Sequence, residues 1–143
     1  MAHRLVSQMA AAAAGQNPRK TALDAAGAAL GHVGMKPSKP LHVLARKGTA
    51  DAAATLNDGG VALRPIEARL VWLPIDGGMR LAWRVEIEPA QGDHWWLAFV
   101  DAATGADLGR HDLVVHDSAQ ANAEAIARSF AVEGLAPSFE PTD

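Results

Sequence analysis

Alternation of apolar and polar positions is concentrated in residues 68–114, ARLVWLPIDGGMRLAWRVEIEPAQGDHWWLAFVDAATGADLGRHDLV. All four tryptophans and one of the three phenylalanines lie in this stretch, whereas the flanks are mostly alanine, glycine and small polar residues. The pattern predicts a four-stranded antiparallel meander. Asp76-Gly77 between alternating apolar runs is a strong signal for a two-residue type I′ hairpin. Closing the hairpin there sets Trp72 opposite Leu81 and Leu70 opposite Trp83. Val85 and Ile87 continue that apolar face, because side chains alternate with period two. Arg80, Arg84, Glu86 and Glu88 take the other face, as in a sheet wet on one side.

Proline and glycine in 89–93 mark the second turn. The third strand, 94–100, differs from the first two. Trp96, Ala98 and Val100 point one way and Trp95, Leu97 and Phe99 the other, so apolar side chains occupy both faces and each face needs a cover. The third turn is 101–105, where Asp101 is placed to accept backbone N–H groups two and three residues on and Gly105 to take a positive φ. The fourth strand, 106–114, is polar enough to be an edge.

Outside the meander the pattern is weaker. Residues 1–16 are expected to be disordered or a frayed helix. Asn17-Pro18 is a start signal for a helix within 17–34, with Leu23, Ala26, Leu30 and Val33 on one stripe and Gly31 or Gly34 ending it. Residues 35–67 contain Pro37, Pro40, Gly48, Asn57-Asp58-Gly59-Gly60 and Pro65. They are expected to form a linker, with a short strand at 41–45 and at best a turn or two of helix at 50–55. A helix over 117–131, capped by Asp117 or Ser118, follows the sheet, and 132–143 form an irregular tail. The fold class is thus α+β, an antiparallel meander packed with one or two helices.

Composition narrows the function. The net charge of −3 and the absence of a basic stripe argue against nucleic-acid binding. Cysteine is absent, which removes disulfides, Fe–S clusters and thiol catalysis. No stretch approaches the length of a membrane-spanning helix. The chain contains no His-Glu-x-x-His, no G-x-S-x-G around Ser118 and no glycine-rich phosphate loop. His111, Asp112, His116 and Asp117 carry metal-ligand atoms in a short segment, but in a strand His111 and His116 face opposite ways. Asp101 and Asp107 are better explained as turn residues than as paired carboxylates. No catalytic residue, metal ligand or cofactor site is expected.

LVWLPIDGGMRLAWRVEIEP followed by GDHWWLAFVDAATGADLGRHDLVVHDS resembles the last, PepSY-like part of the propeptide of fungalysin-type (M36) secreted zinc metallopeptidases. The resemblance covers about residues 61–118 and extends more loosely to the helix at 18–31. Nothing resembling the catalytic domain accompanies it, and the helix at 117–131 departs from the family pattern. The resemblance implies a non-catalytic module that inhibits a zinc metallopeptidase, or assists its folding, by docking to a catalytic domain in the same precursor or co-encoded. It also implies secretion or a periplasmic location, although MAHRLVSQMAAAAAGQ resembles a signal peptide only faintly. The alternatives are a stand-alone PepSY-like interaction protein and an enzyme of unrecognised type, the latter requiring a pocket with His94, His111, His116 and a carboxylate.

The expected interaction residues are Trp95, Leu97 and Phe99 on the second face, and Asp107, Arg110, His111, Leu113 and His116 along the edge. Trp95, Leu97 and Phe99 meet either a helix of this chain or a partner. The expected structural residues are Leu70, Trp72, Leu81, Trp83, Val85, Trp96, Val100, Asp101 and Gly105.

Overall fold

The structure is a computed structural model that describes residues 17–114 and 130–131. One helix, α1 (Ala22–His32), precedes strands β1 (Val43–Arg46), β2 (Ala54–Leu56), β3 (Ile66–Ile75), β4 (Gly78–Ile87), β5 (Trp96–Asp101) and β6 (Asp107–Asp112), with a short β7 (Phe130–Ala131) last. Six strands follow in sequential antiparallel order, and β7 pairs with β3 at Val71 and Trp72. The architecture is α+β, with a meander longer than the four strands expected.

The β3–β4 hairpin shows why the central register is firm. Asp76 and Gly77 have φ of 52° and 76°, the two positive values of a type I′ turn. Ile75 then pairs with Gly78, Trp72 with Leu81 and Leu70 with Trp83. On the first face Leu70, Trp72, Leu81, Trp83, Val85, Ile87, Ala98 and Val100 join α1 in one core, and Trp96 packs against its margin.

The helix starts later than Asn17-Pro18 indicated. Thr21 is the cap: its hydroxyl accepts the Asp24 N–H and the Asp24 carboxylate accepts the Thr21 N–H, each at 3.1 Å. This reciprocal box satisfies two otherwise unpaired donors. Residues 17–20 are instead anchored to the sheet. The Arg19 and Lys20 N–H groups donate to the Ala102 carbonyl, and Trp83 Nε1 donates to the Lys20 carbonyl at 2.9 Å. The buried stripe is Ala22, Ala25, Ala26, Ala29 and Leu30, while Leu23 is exposed. Small side chains let the helix approach the tryptophans closely, so alanine rather than leucine marks the inner face.

Residues 35–67, expected to be a linker, contribute β1, β2 and the start of β3. Val43–Arg46 falls near the short strand expected at 41–45, and Ala54–Leu56 is a strand where a helical turn was expected. Neither advertised itself: β1 is mostly exposed and β2 has three residues, too few for a periodicity. The intervening loop is tied down by an Asp51 carboxylate that bonds the Thr49 hydroxyl and the Ala53 N–H.

The second face is not uniformly wet. Val71, Leu73, Ala82, Leu97 and Phe99 form a second buried cluster, with Ile75, Leu108 and Leu113 partly buried around it. Arg80 near the hairpin and the other end of this face, with Glu67, Arg69, Arg84 and Glu86, meet solvent. The expected segments 1–16 and 132–143 lie outside the described residues. So does the helix at 117–131 apart from its last two positions, which form strand β7.

Candidate functional site

The strand β6 ends the sheet order, and the start of β5 with the residues before it lies beside it. Across β5 and β6, Ala98 pairs with Arg110 and Val100 with Asp107, so β6 holds one extra residue. Gly109, at φ 122°, absorbs this bulge, a feature that twists an edge strand away from unwanted pairing. Beyond the bulge, the Leu113 N–H donates to the Trp95 carbonyl at 2.7 Å. Alternation in an antiparallel ladder then turns the backbone groups of His111 toward β5 and those of Arg110 and Asp112 outward. No described strand lies on that outer side.

Side chains of the outward pair are held on the first face. The Arg110 guanidinium donates to the His32 carbonyl at 2.9 Å and lies 5.6 Å from the Trp96 ring centre. His32 Nε2 donates to the Gly105 carbonyl, so the end of α1 is clamped both to the turn before β6 and to Arg110 within it. Asp107 is 3.8 Å from Arg110 and caps the Gly109 N–H. Asp112 accepts from His94 Nδ1 at 2.7 Å and from the N–H groups of Trp95 and Val114. Desolvation pushes the Asp112 carboxyl up, but these three donors outweigh it and hold the group below its ordinary range. The His94 ring stacks on Trp96 with centres 4.8 Å apart.

A groove of about 430 Å³ opens beside this stack. Val33, Met35, Val61, Pro89 and Trp96 supply its apolar wall, with Lys36 and His94 at polar positions. Such a lining suits apolar side chains bordered by a few polar groups. Sequence reasoning missed this groove, because its walls come from three loops and a helix end that alternation does not link.

The expected interaction residues divide. Leu97 and Phe99 are buried within the chain, at 0 % and 2 % exposure. Trp95 is only partly buried; its Nε1 donates to Glu86 at 2.8 Å and Arg64 lies 5.6 Å from its ring centre. His111 meets Phe99 edge-on with centres 6.2 Å apart, and Leu113 packs on the second cluster. Asp107 and Arg110 line the edge as described, and His116 lies outside the described residues. His94 and His111 do not share a pocket: the first is on the Trp96 side, the second on the Phe99 side. Among the described residues no group of three or more His, Cys, Asp or Glu side chains is placed to hold a metal ion.

Leu70, Trp72, Leu81, Trp83, Val85 and Val100 are each at most 3 % exposed. Asp101 accepts from the N–H groups of Ala103 and Thr104 at 2.8 and 3.1 Å and from Arg80 at 2.8 Å. Burial alone would push its carboxyl up, yet the donors hold it below the ordinary range. Gly105 has φ 81°.

No family model matches the chain, and no solved structure matches it. Among curated proteins it is similar to "Extracellular metalloproteinase 4" of Arthroderma gypseum, 36 % identical over 85 residues. The match covers 59 % of this chain and 12 % of that protein, so the chain spans a small part of its relative's length.

Proposed function

We propose that this chain is a non-catalytic, propeptide-like module of the fungalysin type that docks to a zinc metallopeptidase domain and inhibits it or assists its folding. The observation that carries this reading is the similarity to an extracellular metalloproteinase over 85 residues. The lack of a metal-holding cluster among the described residues fits the same role. The contact surface is the outer edge of β6 with the adjoining groove, and its setting is extracellular or periplasmic. Outward-facing N–H and C=O groups of Arg110 and Asp112 offer a partner strand two pairing positions, and the groove takes that partner's apolar side chains.

The test uses a metallopeptidase catalytic domain from the same precursor or encoded alongside. Wild-type chain should inhibit it or raise its refolding yield. Arg110→Pro removes an outward N–H while leaving the ladder to β5 intact, and should weaken the effect about tenfold. A folded proline variant as effective as wild type removes β6 as the contact. Failure of the wild type to affect the peptidase favours a stand-alone PepSY-like interaction protein instead.

A further inference from the structure

The solvent-facing end of the second face carries an arrangement that neither the core nor the β6 edge uses. Arg69 on β3 and Arg84 on β4 are directly paired across the strands, and like charges in that position repel. With Lys47 they line a cleft of about 240 Å³ whose other walls are Ala53, Ala68, Glu67 and Glu86. Both carboxylates are already engaged by neutral donors: the Thr55 hydroxyl donates to Glu67 at 2.9 Å and Trp95 Nε1 to Glu86 at 2.8 Å. Neither is within ion-pair distance of any of the three cations. The Nε of Arg84 is shielded from solvent and meets no acceptor among the described residues.

An isolated fold gains nothing from this. A buried N–H without an acceptor costs stability, and two guanidinium groups held opposite each other add repulsion. Desolvation and the Arg69 charge lower the Arg84 pKa and outweigh the opposing pull of the Glu86 carboxylate. A bound anion would relieve the repulsion and fill the orphan donor together.

We propose that Arg69, Arg84 and Lys47 form a receptor for a single carboxylate presented by an acidic side chain of a protein partner. Three cations against two carboxylates leave one positive charge in the cleft, which complements a monoanion. Glu67 and Glu86 would repel a phosphate dianion. The planar guanidinium suits a carboxylate geometrically. Beside the cleft, partly exposed Trp95 offers the apolar contact that a peptide can use. The site lies on the opposite face from the groove, so a partner seated in both must wrap around the edge strand.

The experiment follows the Nε–H resonance of Arg84 in the 15N-labelled full chain, assigned by its loss in Arg84→Lys. The probes are the blocked peptide acetyl-Gly-Glu-Gly-amide, its acetyl-Gly-Gln-Gly-amide counterpart, and inorganic phosphate. The acidic peptide should move the resonance saturably at low salt, and the amide peptide should not. Arg69→Gln should weaken the response about tenfold. Lys47→Gln, at an exposed position, should weaken it in the same direction and carries the test if Arg69→Gln disturbs the amide spectrum. Raising ionic strength tenfold should weaken it as well, since the cleft is open to solvent. No saturable shift with the acidic peptide overturns the proposal. So does an equal shift with the amide peptide, or a shift with phosphate alone. Because this readout needs no peptidase, its failure leaves the docking role at β6 standing, and a failed inhibition assay leaves the anion site standing.

Discussion

Trp83→Ala is the perturbation that most directly probes how the sheet and helix are joined. Trp83 is 3 % exposed, lies opposite Leu70 on β3 and Val100 on β5, and packs beneath the alanine face of α1. Its indole N–H also holds the Lys20 carbonyl, one residue before the helix cap. Truncation removes a large buried side chain from a site walled by strands on both sides, where collapse is restricted. Buried tryptophan-to-alanine changes cost about 3 to 5 kcal/mol. A domain of this size has about 5 to 15 kcal/mol in total, so the loss is a large share. With a urea slope of about 1.5 kcal/mol per M, the midpoint should fall by about 2 to 3 M. Trp83→Phe restores much of the volume but leaves the Lys20 carbonyl without its donor. It should cost less and should raise amide exchange selectively at Arg19 and Lys20, whose N–H groups bond the Ala102 carbonyl. Leu44→Ala, at a position 53 % exposed, should change the midpoint little. A Trp83→Ala midpoint within about 0.5 M of wild type would refute the reasoning, because no packed interior tolerates such a deletion at that cost.

Three further outcomes follow from individual contacts. Gly77→Ala places a side chain at φ 76° and should cost about 1 kcal/mol, lowering Tm by about 4 to 8 °C in thermal unfolding. Asp101→Asn should cost about 1 kcal/mol near neutral pH, with half-exposed Arg80 discounted for screening. The Asp101 carboxyl is held below its ordinary 3.8, so its contribution is fully present above the unfolded value and fades as pH falls through the lower folded value. Urea midpoints of wild type and Asp101→Asn should therefore converge in acid, and a gap unchanged down to pH of about 2 would contradict this. Purified chain dialysed against buffer should retain no stoichiometric zinc by elemental analysis and should not hydrolyse peptides, since no described cluster offers the ligands.

The parts of the fold legible in the sequence are those where a local rule has one solution. Asp76-Gly77 admits only a tight I′ hairpin, and that turn determines by parity the register of the nine residue pairs between β3 and β4. Asp101 in a turn before Thr104-Gly105 likewise has one economical use. What escaped the sequence lacked a local rule. The strands β1 and β2 are too short to display a period, and their pairing is decided by hydrogen bonds to β3 and by the loop around Asp51. The helix face escaped because hydrophobicity scales weight Leu23 above Ala25 and Ala29, whereas packing over tryptophans favours the smaller residues.

The candidate site was half legible for a related reason. Period two correctly separates Trp95 from Trp96 and assigns Arg84 and Glu86 to the face opposite Trp83, but it treats a face as a single environment. In β3 the burial changes from alternating at 66–70 to continuous at 70–73, so the same face is open beside Arg69 and closed beside Val71. That boundary creates both features left unused by the core. On the closed side, Leu97 and Phe99 are spent on internal packing and cannot also serve a partner. On the open side, Arg69 and Arg84 stand paired at the rim of the apolar cluster, where desolvation sharpens the need for a counter-charge without burying the cleft. Alternation could name the side chains on that face; only the register of β3 against β4 sets Arg69 directly opposite Arg84, with one guanidinium nitrogen left without an acceptor among the described residues.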